Sequence, residues 1–221
     1  MYQRRCCACP SQAQQGGLTK GISVTNHQSR RRVLEAGVFG VGSLLVPGRS
    51  FAESQPSITP ECHDGDAAAT PRETEGPFFK PSSPASADLY ETGIAGRLFE
   101  LSGLVLSRDC KPVAGALLDF WQANDAGDYD SSGFRLRGHQ FTDAGGRYRL
   151  RSIVPGAYDR RTRHIHVKVQ PSGGRLLTTQ LYFPGEPKNS SDSFFRTELL
   201  MRTASNGAAL TGRFDFVLDV R

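Results

Sequence analysis

The chain has 221 residues, 38% of them hydrophobic, enough for one sizeable core, and its longest apolar run is too short to span a bilayer. Of its 27 basic and 22 acidic side chains, residues 1–52 hold seven and one, which leaves 20 against 21 beyond them. The pI of about 9.1 therefore belongs to the leading segment, and a nucleic-acid partner is excluded because no basic stripe remains in the rest.

Residues 1–52 read as a twin-arginine export signal. Ser29-Arg30-Arg31-Arg32-Val33-Leu34 precedes the apolar, glycine-rich run from Ala36 to Val46, and Ser50 and Ala52 form a small-residue cleavage site that leaves Glu53 as the mature N-terminus. The expectation is a periplasmic or extracellular protein with no membrane attachment after cleavage. Cys6, Cys7 and Cys9 lie in this leader without a partner histidine or a second CxxC at zinc-finger spacing. Only Cys62 and Cys110 persist, and a disulfide between them or two separate thiols both fit the sequence.

Residues 53–80, with Pro56, Pro60 and Pro71, read as an irregular N-terminal arm. Extended termini exchange between protomers in some proteins, so this arm is the candidate surface for a homo-oligomer. Residues 81–221 are expected to form the functional domain. Within it Leu101 to Ser107, Ala116 to Gln122, Arg147 to Ser152, His164 to Gln170, Leu177 to Phe183 and Arg213 to Val220 have strand length and composition. Lys111-Pro112, Asp125-Ala126-Gly127, Asp143-Ala144-Gly145-Gly146, Pro155-Gly156 and Pro184-Gly185 supply turns between them. The pattern predicts an all-β, Greek-key antiparallel β-sandwich of transthyretin-like type, with one short helix around Ser193 to Met201.

His164-Ile165-His166 is the most informative tripeptide. On a strand, alternation puts both imidazoles on one face and Ile165 on the other, so both reach one ion. Tyr158 lies six residues upstream and Tyr129 further back. Phenolates are hard anionic donors, so a His2Tyr2 set points to a mononuclear, non-haem Fe(III) rather than to zinc or copper. Each residue has a plainer reading alone: a solvated histidine pair, a loop tyrosine, a corner tyrosine. His139 reads as a solvent-facing or supporting residue, His63 has no role, and Trp121 reads as core with Phe120 facing the other way.

From Thr74 to the C-terminus the chain resembles the intradiol ring-cleavage dioxygenases, the family of protocatechuate 3,4-dioxygenase and catechol 1,2-dioxygenase. The resemblance rests on five segments in order: Glu75-Gly76-Pro77-Phe78-Phe79, Trp121-Gln122-Ala123-Asn124 with Gly127-Asp128-Tyr129, Pro155-Gly156-Ala157-Tyr158, Arg161-Thr162-Arg163-His164-Ile165-His166, and Thr179-Gln180-Leu181-Tyr182-Phe183. It implies ring cleavage of a catechol between its hydroxylated carbons, with both atoms of O2 entering a muconate-type diacid. It further implies Tyr158 and His164 as axial ligands and Tyr129 and His166 as equatorial ones. Tyr158 would leave the metal and take a substrate proton, Arg161 would stabilise charge developing on the ring, and Gln180 would position substrate or oxygen.

The chain departs from the familiar members of that family where only Asp159 and Arg160 separate Tyr158 from Arg161, which implies a more open pocket. Arg160 and Arg163 would favour an anionic ring substituent if they face its mouth. The competing reading is an exported, non-catalytic sandwich that binds catechols or ferric chelates, or a structural module.

Overall fold

Alternating apolar and polar residues between turn sequences build nine strands in the computed structural model, which describes residues 67–220, all within the compact unit Ala52–Arg221. These are β1 (Leu98–Ser107), β2 (Leu117–Trp121), β3 (Arg137–Phe141), β4 (Arg147–Ile153), β5 (His164–Gln170), β6 (Leu177–Tyr182), β7 (Arg202–Asn206), β8 (Ala209–Arg213) and β9 (Phe216–Leu218). One sheet runs β4-β1-β8-β7 with β9 also on β1, and the other runs β3-β2-β5-β6. The predicted leader and cleavage site, residues 53–66 of the arm, Cys62 and His63 lie outside the described residues. Cys110 is disulfide-bonded.

Three features differ from expectation. The sandwich is not wholly antiparallel, because β8 and β9 both run parallel to β1. The predicted strand from Arg213 to Val220 is split at Phe214 and Asp215. There the main chain presses so closely on β1 that a Cβ at Gly103 would lie 1.7 Å from the Phe214 carbonyl oxygen. The buried Asp215 carboxylate fills the gap in the ladder, accepting the Leu104 N–H at 2.7 Å. The predicted helix around Ser193 to Met201 is also absent. Two 3-10 turns, Pro187–Ser190 and Thr197–Leu199, flank a segment in which the Asp192 side chain takes the Phe194 N–H, competing with helical pairing.

The core lies between the sheets. Phe99, Leu101 and Leu150 meet Leu118, Phe120, Ile165, Val167 and Leu181, each no more than 1% exposed. Burying such side chains contributes about 1.5–3 kcal/mol apiece. Trp121 is equally buried but does not belong to this cluster. Buried and turned away from Phe120 as expected, it faces the opposite side of its sheet, as alternation dictates.

Candidate metal centre

The outer face of the β3-β2-β5-β6 sheet carries the site. Strand register sets Arg137, Trp121, His166 and Gln180 in one row across all four strands, and His164 opposite Tyr182 in the next. Ile165, between the histidines, points into the core and is 0% exposed.

His164 Nδ1–H donates to the Thr162 carbonyl at 2.7 Å, which leaves its Nε2 lone pair free. That nitrogen lies 3.1 Å from His166 Nε2 and 3.3 Å from the Tyr129 hydroxyl. Burial, reinforced by the Arg161 cation, holds His164 down to about 4. Burial, neighbouring His164 and the Arg161 and Arg137 cations hold His166 well below its ordinary value. Both imidazoles are therefore neutral at pH 7, the form that binds metals. Burial pushes the Tyr129 phenol up, against the pull of Arg161 and Arg137. Tyr158 stands half-buried with its ring edge-on to Tyr129 at 5.8 Å. The fold thus brings Tyr129, His164 and His166 within hydrogen-bonding distance, with Tyr158 against Tyr129.

These donors fit a metal. Ligands about 2 Å from one first-row ion stand about 3 Å apart at right angles, close to the separations seen. Among the described residues no cluster of three His, Cys, Asp or Glu side chains could hold one. The oxygen donor beside His164 and His166 is the Tyr129 phenol, and phenolates favour a hard trivalent cation.

The two tyrosine-bearing loops are joined backbone to backbone. Gly156 N–H donates to the Asn124 carbonyl at 2.7 Å, and a Cβ at Gly127, where φ is +95°, would lie 2.4 Å from the Ala157 carbonyl oxygen. Only glycine permits that contact. Asn124 Oδ1 accepts the Ala126 and Asp128 N–H groups, fixing the turn before Tyr129.

Arg161 enters from below the histidines. Its Nε lies 2.9 Å from the buried Asp192 carboxylate, its Nη2 donates to Gln180 Oε1, and its guanidinium covers the Phe194 ring at 4.6 Å. Asp192 also accepts the Thr162 N–H at 2.8 Å. The Gln180 amide donates to the Thr74 carbonyl at 2.9 Å, and the Tyr182 hydroxyl donates to the Phe194 carbonyl at 2.9 Å.

The arm closes the top. Its described part, residues 67–80, forms no strand or helix and is packed against the site. Phe78 stacks on Tyr129 with centroids 4.3 Å apart and meets Tyr158 edge-on at 5.1 Å. Phe79 abuts Trp121, which stacks flat on His166 at 4.8 Å. Lys80 Nζ reaches the Ser131 and Gly133 carbonyls of the Tyr129 loop.

Residues 74–220 match the family model described as "Dioxygenase". Over 191 residues the chain is 35% identical to catechol 1,2-dioxygenase 2 of Acinetobacter lwoffii, covering 74% of this chain and 70% of that protein. The chain belongs to the intradiol ring-cleavage dioxygenases. It is also 36% identical over 155 residues to the protocatechuate 3,4-dioxygenase beta chain of Burkholderia cepacia, covering 57% of this chain and 66% of that one. Among solved structures, the dioxygenase domain of a dioxygenase carbohydrate-binding protein fusion from Streptomyces sp. SirexAA-E is 55% identical. It has a TM-score of 0.69 and covers 70% of this chain and 100% of that one. Catechol 1,2-dioxygenase from Acinetobacter sp. ADP1 follows the same fold at 27% identity and TM-score 0.64, covering 68% of this chain and 63% of that one.

In this intradiol dioxygenase, several residues around the site escape a reading of motifs. Asp192 and Arg137 sit in segments with no motif of their own, and Phe78 and Tyr182 are visible only as parts of motifs. Period-two alternation does put Tyr182 on the face of Gln180, the one signal available. Arg163 does not face the donors. It pairs with Glu186 at 3.4 Å beside a separate cavity of about 330 Å³ lined also by Arg97 and Asp125. Alternation from His164 sends it there, and of the two arginines expected at the mouth Arg160 is exposed. His139 is half-buried, its Nδ1 donating to the Ser83 carbonyl at 2.8 Å on the same sheet face but one row removed.

Proposed function

We propose that this intradiol dioxygenase is a mononuclear, non-haem ferric enzyme that cleaves a catechol between its hydroxylated carbons. The carrying observation is that His166 Nε2 and the Tyr129 hydroxyl both lie within 3.3 Å of His164 Nε2, with Tyr158 against Tyr129. Tyr129, Tyr158, His164 and His166 would hold the ion, and two phenolates offset most of its charge. When bound, a ferric ion supplies Lewis acidity toward a chelating catecholate and drains electron density from it, so that the ring itself reacts with O2. Catechol and O2 together contain every atom of the muconate-type diacid, so no external reductant enters.

The side chains divide the remaining work. The Tyr158 phenolate oxygen takes a proton from a substrate hydroxyl. Arg161, held by Asp192 and Gln180, presents a fixed cation where negative charge grows on the ring, an effect of about 3 kcal/mol for one preorganised donor elsewhere. Gln180 keeps Oε1 on Arg161 and its amide on Thr74, so it also sets the height of the arm above the site. Phe78, Phe79 and Trp121 exclude water from the donors.

Export is part of the same proposal. Arg30-Arg31-Arg32 before the apolar run of residues 36–46 supports twin-arginine translocation, a route that carries folded protein and so allows iron to be inserted first. Cell fractionation with Arg31→Lys and Arg32→Lys together tests it, and unchanged export would overturn it.

Oxygen uptake on a panel of catechols, with the product identified by mass after 18O2 labelling, tests the reaction. Both labelled atoms in one muconate support it. A red-brown ferric protein that shifts colour with catechol but consumes no O2 is a carrier instead, and a protein that takes up no iron is neither.

A further inference from the structure

Two guanidinium groups stand beside the donors, buried Arg137 at one end of the cross-strand row and partly buried Arg161 against Gln180 at the other, and they are compensated differently. Arg161 has the Asp192 carboxylate. Arg137 is 3% exposed and, among the described residues, makes no direct ion pair, the Asp130 and Asp119 carboxylates favouring its charge only from a distance. Its partners are two carbonyl oxygens: Nη1 donates to Phe78 at 2.7 Å and Nη2 to Asp130 at 3.0 Å, while Nε is buried without a partner. The Asp130 carboxylate is turned away into its own loop, where it accepts the N–H groups of Ser132, Gly133 and Arg135.

A buried cation with only neutral acceptors is costly, so its placement calls for a compensating role. The identity of the two carbonyls supplies one. Phe78 is the ring stacked on Tyr129, and Asp130 is the residue after Tyr129. Charge-assisted bonds, roughly twice as strong as neutral ones, thus tie both the cover of that phenol and its own main chain to β3. β3 is itself in register with Trp121, the ring stacked on His166.

We propose that Arg137 is a positioning residue for Tyr129: by clamping the arm at Phe78 and the loop at Asp130 onto β3, it holds the phenol oxygen at its distance from His164. The clamp is a property of the folded chain, and its effect on the metal rests on the ferric reading above. Lysine at this position would keep the charge and reach one carbonyl; glutamine would lose the charge and the fork.

The test uses the full chain as wild type, Arg137→Gln, Arg137→Lys and a surface control, Arg135→Gln, whose side chain pairs among the described residues with Glu91 at 3.2 Å. Metal-free hydrogen exchange is read first. In R137Q the amides of residues 76–80 and 128–131 should exchange about tenfold faster or more, as expected for two lost charge-assisted bonds, while R135Q matches wild type. After ferric loading, R137Q should show a displaced phenolate-to-iron absorption band and about 10- to 100-fold weaker iron retention against a chelator. Wild-type exchange in both segments, or an unmoved band with undiminished retention, overturns the clamp. If R137Q fails to melt cooperatively, R137K decides: lost protection in at least one segment supports the clamp and full protection in both overturns it. Should wild type take up no iron, the ferric reading falls while the exchange result still judges Arg137.

Discussion

The two faces of the β3-β2-β5-β6 sheet share one set of backbone hydrogen bonds and differ in what covers them. The inner face is closed by a second sheet and carries Leu118, Phe120, Ile165, Val167 and Leu181. The outer face is closed by an irregular arm and two glycine-hinged loops, and it buries Arg137, His164, His166 and Gln180 instead. Against the arm and loops, polar side chains find main-chain partners that a second apolar sheet could not offer: Thr162 for His164, Thr74 for Gln180, Phe78 for Arg137. One face therefore supplies stability and the other tolerates the buried polar groups that chemistry needs.

Substitutions on the two faces should separate along that line. His166→Ala is expected to abolish both the visible band of the iron-loaded protein and O2 uptake, while far-ultraviolet circular dichroism stays native. Arg161→Gln should cut turnover about 10²- to 10³-fold and leave iron content unchanged by metal analysis, which would place its effect on the substrate and not on the metal. On the inner face, Phe120→Ala should lower unfolding free energy in urea by about 3–5 kcal/mol, with an unaltered band in the folded fraction.

Asp192 sharpens the comparison, because it is an outer-face group that contributes stability. Burial pushes its carboxyl up, yet the Phe194 and Thr162 N–H groups and Arg161 together hold it below the ordinary carboxylate range. A depressed folded value means that this stability is full above the ordinary value of about 3.9 and is lost as pH falls through the folded one. Asp192→Asn should therefore cost about 3 kcal/mol at neutral pH, and the gap from wild type should narrow in urea melts below about pH 4. The smallest effect is expected at Phe141, 62% exposed on the rim. Phe141→Ser should change stability by no more than about 0.5 kcal/mol and leave O2 uptake intact.

By itself the sequence determined the strands that carry the site. His164 to Gln170 and Leu177 to Tyr182 are legible because alternation is a local consequence of backbone geometry, and the pairing of His164 with His166 on one face follows from the same cause. Motif order was enough to indicate the ring-cleavage family, and four donor residues could be named from it. The tertiary structure alone decided which face of the sheet would be closed by a second sheet and which by the arm, since alternation says that two faces differ but not what will cover each. That choice made the buried Trp121 a partner of His166, paired Arg163 with Glu186, and brought Arg137 and Asp192 to the donors from 29 and 26 residues away along the chain from His166. It also split the last predicted strand at Phe214, because β1 has room for two parallel partners only if the chain kinks over Gly103. Such outcomes depend on contacts between segments distant in sequence, where no local period carries a signal.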